Sequence, residues 1–159
     1  MKITLLILFY SISIVVYSFD CKNITKEHEF ETSNYVFIGA VINKSDSSYC
    51  IKIYESFKGK TPDTIVVSLD EYSVYPEKDE IWLFYATKFN ESTIHINKCG
   101  WSRNFEYPIN MNSVFFPKPL TSNFTESELL VMDAITLSNS INELYHDIAT
   151  LRNKKIKKK

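Results

Sequence analysis

The chain has 159 residues, a formal net charge of −1, 45% hydrophobic and 14% aromatic residues, and only 3 Gly and 5 Pro. That length supports one domain with a true core, and that composition excludes disordered, collagen-like and linker-rich chains. Charge is uneven: residues 19–151 hold 11 Lys and Arg against 19 Asp and Glu, a net of −8, whereas 152–159 hold six Lys and Arg. A domain that acidic is a poor nucleic-acid binder, so no nucleic acid is expected as a partner.

Lys2 precedes an apolar run at 3–16 that falls short of the roughly 20 residues of a membrane span. It reads as a signal peptide over 1–18, cut after Ser18, with a retained anchor as the alternative. The expected product is secreted or extracytoplasmic (cell envelope or periplasm), with no membrane span once the signal is removed.

Residues 25–31 suit one short helix. The run at 35–42 is apolar throughout and rich in β-branched and aromatic residues, so it predicts a strand covered on both faces. Gly39 inside it predicts a bulge or tight bend. Residues 49–57 alternate: Ile51, Ile53 and Phe57 share one face, and Cys50, Lys52, Tyr54 and Ser56 the other. Further strands are predicted at 64–69, 80–86 and 93–99. Between them, 70–79 is a polar loop with aromatic interruptions, and Glu77, Asp79 and Glu80 read as solvated. Five short strands with turn signals between them mean a small barrel or sandwich.

Residues 100–122 read as irregular, an aromatic and proline-rich cover for the barrel mouth, with an exposed aromatic binding patch as the alternative. A capping box at 125–128 starts a helix. Leu130, Ala134, Leu137, Ile141, Leu144, Ile148 and Leu151 then make one apolar stripe that predicts docking on the barrel, with Asn142, Glu143 and Asp147 on the opposite face. The domain plan is a signal peptide (1–18), a barrel with its mouth-covering loop (19–122), a C-terminal helix (123–152) and a basic tail (153–159).

Outside the cytoplasm, Cys21, Cys50 and Cys99 allow one disulfide and leave one thiol over. No CxxC occurs, and His28, His95 and His146 are isolated, so neither a metal nor a cofactor is expected. No Ser-His-Asp context and no phosphate-binding glycine loop is present, so no enzyme is expected. Asn23, Asn43, Asn90 and Asn123 lie in N-glycosylation sequons.

Four stretches resemble the netrin-module family that includes the tissue inhibitors of metalloproteinases, most closely its short bacterial-type members. They are N-Y-V-F-I-G-A-V at 34–41, I-K-I-Y-E-S-F-K-G at 51–59, I-W-L-F-Y-A at 81–86 and I-H-I-N-K-C-G-W-S-R at 94–103. The resemblance runs from Asp20 to about Arg103 and implies a mainly β fold: a five-stranded OB-type barrel with a short N-terminal helix and a longer C-terminal amphipathic helix.

The family opens with C-x-C, whereas this chain has D-C-K-N at 20–23. The family's loop cysteine before the fourth strand is also missing from 72–78. What the resemblance then implies is a bridge from Cys21 to Cys99, with Cys50 left as the free thiol. In the inhibitors, a free α-amine on the first Cys chelates the protease zinc. Here that role would fall to an inhibitory edge at Cys21, Lys22 and Asn23. Two residues ahead of Cys21 would abolish the chelation, and the charge of Lys22 suits an apolar specificity pocket poorly.

The expected function is therefore a non-catalytic interaction module, monomeric, with a protein partner. The alternatives are a metalloendopeptidase inhibitor acting through the Cys21 segment, and an envelope assembly protein dimerising through Cys50 or the C-terminal helix.

Overall fold

A computed structural model describes residues 24–109 and 125–156. The signal peptide, Cys21, Lys22, Asn23, Asn123, most of the mouth-covering loop and the last tail residues lie outside the described residues.

The fold is a closed five-stranded OB-type barrel flanked by two helices. Helix α1 spans Lys26–Thr32, capped by the Thr25 hydroxyl, which accepts from His28 N. Strands follow at β1 Tyr35–Lys44, β2 Ser48–Lys58, β3 Thr64–Ser68, β4 Ile81–Lys88, β5 Thr93–His95 and β6 Arg103–Asn104, and α2 spans Glu126–Ile156. The sheet order is β1-β2-β3-β5-β4-β6, and an added β1–β4 pairing closes the first five into a ring. Closure gives each of these five strands a neighbour on both sides.

The two-sided burial predicted for β1 is met by two separate cores. Phe37 and Val41 point inward, joining Tyr49, Ile51, Ile65, Val67, Phe84 and Ile96 in the barrel interior. Val36 and Ile38 point outward, joining Leu83, Tyr85 and Trp101 under Leu144, Ile148 and Leu151 of α2. Gly39 sits at a β1–β2 register shift, where a Cβ would meet Ile51 Cγ2 at 2.5 Å and the Lys52 carbonyl oxygen at 2.7 Å. The chain curls there because the backbones approach too closely for any side chain.

The structure differs from the sequence reading in four places. Phe57 packs in the outer core, not with Ile51 and Ile53, because the β1–β2 register shifts put it on the other face. The fifth strand ends at His95, and the chain then turns. Residues 101–104 are buried rather than draped over the mouth, and Arg103 and Asn104 pair with β4 as a sixth strand.

The fourth difference concerns α2. Its 31 residues span about 46 Å, far more than the barrel wall can cover. Only the portion from Ser140 to Leu151 is buried, so Leu130 and Ala134 of the predicted docking stripe are exposed. Asp147 is buried against the barrel rather than facing water, and Glu143 is bonded across the same seam. The helix also runs on through Lys154 and Lys155, which the domain plan placed in the basic tail.

Candidate functional site

The 70–79 loop carries a compact hydrogen-bonded turn. The Asp70 carboxylate accepts from Tyr72 N at 2.8 Å and from Ser73 Oγ at 2.9 Å, the Asx-turn chemistry that suits Asp to loops. Burial opposes ionisation of Asp70, but hydrogen bonds from Ser73, Tyr72 and His95 outweigh it and hold the carboxyl below the ordinary Asp range. His95 Nε2 lies 3.2 Å from Asp70 Oδ1, which ties β5 to the loop. Tyr75 donates its hydroxyl to the Asp70 carbonyl at 2.6 Å.

A second row of bonds fastens this loop to the turn after β5. Val74 N donates to the Ile96 carbonyl at 2.9 Å, and Lys98 N to the Tyr72 carbonyl at 2.8 Å. Ser73 and Asn97 form an antiparallel bridge. The Lys98 ammonium reaches the Glu71 carbonyl at 2.6 Å and lies 5.9 Å from the Tyr72 ring centroid. The outcome is a ridge on which Tyr72 and Tyr75 stay 46% and 54% exposed while their backbone is fixed.

Ile24, the first described residue, lines a cavity with His95 and Asn97, the residues that meet Asp70 and Ser73 of this loop. Trp101 donates its indole N–H to the Ile24 carbonyl at 2.6 Å. Its backbone N–H donates to the buried Glu29 carboxylate of α1. Burial pushes Glu29 up to about 7, against the lowering effect of the Trp101 bond. A Cβ at Gly100 would collide with the Glu29 carboxylate, so a larger residue there would force that side chain to move.

Behind Trp101 lies a four-charge junction. Arg103, 1% exposed, bonds Asp147 and lies 3.3 Å from Glu143 Oε2. Lys26 of α1 bonds the same two carboxylates at 2.6 and 3.0 Å. Both cations also sit on the Trp101 ring, Lys26 at 4.7 Å and Arg103 at 5.4 Å from its centroid. Two cations against two carboxylates make the cluster formally neutral, with Arg103 Nε left without a hydrogen-bond partner among the described residues, an arrangement suited to fastening elements together rather than to proton transfer.

The predicted residues are scattered. Cys50 is a half-buried free thiol on β2, and Cys99 is buried at the turn after β5. Asn43 and Asn90 are exposed; Asn90 uses its side-chain oxygen to bind Ser92 N and Thr93 N. His28 and His95 line a cavity of about 160 Å³ between α1 and the barrel, together with Glu29, Tyr85 and Asn97. No group of three His, Cys, Asp or Glu able to hold a metal occurs among the described residues, and no helix among them is long and apolar enough to cross a membrane. Sequence reasoning missed both the ridge and the junction. Asp70 with Ser73 three residues on is a readable turn signal, but the partners of Arg103 lie 40 and 44 residues away.

A scan against protein-family models finds no match to this chain, and a search of curated proteins finds none either.

Proposed function

We propose that this chain is an exported, non-catalytic protein-interaction module that offers the Tyr72–Tyr75 ridge to a protein partner. The observation that carries the proposal is the pairing of two exposed tyrosines with a loop backbone tied down through Asp70, Ser73 and Lys98. Tyrosine on a fixed backbone gives contact area at low entropic cost, and such residues are enriched in interfaces. The barrel is filled by its own side chains, so binding falls to the outer surface. The netrin-module resemblance belongs to the same proposal, as does a Cys21–Cys99 bridge that leaves Cys50 free. An OB-type barrel alone does not assign a function.

The test places a photo-crosslinking phenylalanine analogue at position 72 or 75 in the exporting cell, with exposed Tyr107 as the control position. One discrete protein adduct from 72 and 75 but not 107 supports the reading. Equal or absent labelling at all three overturns it.

A second reading, metalloendopeptidase inhibition through Cys21, Lys22 and Asn23, is favoured by the Trp101–Ile24 bond, which fixes the chain to the barrel three residues after Cys21. An N-terminal and non-reducing mass map separates the two. A chain starting at Phe19 with Cys21 bonded to Cys99 removes the free amine that chelation needs. A free-amine Cys21 together with nanomolar inhibition in a protease panel makes inhibition the leading reading.

A further inference from the structure

Helix α2 carries a second stripe, turned away from the barrel. From Val131 to Ile156 every position reached by alternating steps of 4 and 3 residues is exposed, including Ile135, Tyr145 (61% exposed) and Ile156 itself. Monomeric helices keep charge on such a face. Here no stripe position is charged before Arg152, although the docked face of the same helix holds Asp147 and Glu143.

The charges of α2 are also sorted by end. Its N-terminal part has Glu126, Glu128 and Asp133 and no Lys or Arg, whereas its last turns have Arg152, Lys154 and Lys155. We propose that this stripe is the interface of a two-fold dimer in which a second copy of the chain lays its α2 antiparallel on the first.

The register follows from the sequence. With the two-fold axis between Glu143 and Leu144, Val131 meets Ile156 of the second copy, Ile135 meets the aliphatic stem of Arg152, Ser138 meets Ala149 and Asn142 meets Tyr145. The 4-and-3 spacing makes each of these a pairing of the two seam positions of an antiparallel coiled coil. The Ser138–Ala149 pair is small enough for close approach. The Asn142–Tyr145 pair puts polar groups at the axis, the position where a polar residue fixes register. The same surface serves both copies, as a two-fold interface requires. The acidic end of each helix lies along the basic end of the other, whereas a parallel dimer would set like charges together. Each barrel docks mainly on the opposite face and flanks the helix pair; its Glu55 reaches round to bond the Arg152 guanidinium at 2.7 Å, which leaves the aliphatic stem of Arg152 for the seam. This inference rests on α2 alone and is independent of the role of the ridge.

The experiment is sedimentation equilibrium of the full exported chain, up to about 200 µM, under reducing conditions. Wild type and Cys50→Ser are expected to form dimers. Ile135→Glu and Tyr145→Glu, both at exposed positions and checked for native circular dichroism, are expected to stay monomeric. Raising salt from about 0.05 to 0.5 M should weaken the dimer several-fold, because opposite charges across the seam become screened. A wild-type monomer at that concentration, whether or not it binds phosphatidylglycerol vesicles, overturns the proposal. So does a dimer that survives both Glu variants, one lost in Cys50→Ser, or one that tightens with salt.

Discussion

Arg103 and Asp147, 44 residues apart in sequence, bond each other inside the seam between the barrel and α2. With Lys26 and Glu143 they lock three separate elements, α1, β6 and α2, around one tryptophan. Removing one member of a buried ion pair leaves its partner charge unmatched, which costs more than the pair contributes. Arg103→Ala should therefore lower stability by about 3–5 kcal/mol, read as a fall in the urea midpoint with the slope unchanged. The double change Arg103→Met with Asp147→Leu should cost less than the two single changes added together. Strict additivity would mean that the pair is not coupled.

Glu29 sets a pH dependence with a definite sign. Its folded pKa is raised from 4.5 to about 7 by burial, so the folded state holds the proton more tightly than the unfolded chain. Stability should fall as pH rises from about 4.5 to 7, by at most roughly 3 kcal/mol. Glu29→Gln keeps an oxygen for Trp101 N and removes the titration. Its melting temperature should change less than wild type across that window and exceed wild type at pH 8. Parallel curves for the two proteins would remove Glu29 as the cause.

Tyr49 is buried in the barrel interior with no hydrogen-bond partner for its hydroxyl among the described residues, and burial pushes its ionisation far above the ordinary tyrosine range. An unmet buried hydroxyl costs about 1–3 kcal/mol. Tyr49→Phe should leave stability unchanged or raise it by about 1 kcal/mol. A loss of 1 kcal/mol or more in chemical denaturation would reveal a polar partner for that hydroxyl.

Gly39→Ala should be damaging despite its small size. The added methyl faces Lys52 backbone and the Ile51 side chain at distances that cannot be met without parting β1 from β2. A cost of about 1–3 kcal/mol is expected, as for other overpacked sites. The amide of Lys52, whose backbone faces β1, should lose hydrogen-exchange protection ahead of those in β4.

Most strands were legible because two forces agreed in them: alternation or continuous apolarity, and β-branched composition. Residues 35–42 announced burial on both faces, and Gly39 announced the bulge. The sixth strand was hidden because Arg103 reads as a surface residue. Its burial depends on carboxylates contributed by a helix that begins 23 residues later. The extent of helix docking was hidden for a different reason. Periodicity reports which residues can share a face but not how long the opposing surface is, so Leu130 and Leu144 looked alike and ended in different surroundings. The ridge could be read as a turn at Asp70 and Ser73. Its attachment to residues 96–98 is a tertiary fact that no local pattern carries.

The closed ring of strands is not equally strong all the way round. β1 is zipped to β2 and β4 along most of its length, but the short β5 forms a weak junction: it meets β3 only where Val66 and Val67 face Thr93 and Ile94, in parallel, and β4 only where Thr87 and Lys88 face His95 and Ile94. That junction is the natural place for the wall to part. Brief openings there would bare the inner faces of Ile65, Val67 and Ile94 while the opposite wall, clamped under α2, stays shut. Such a barrel would part about β5 rather than act as a rigid tube, and β5 carries His95, the residue that ties it to the tyrosine loop.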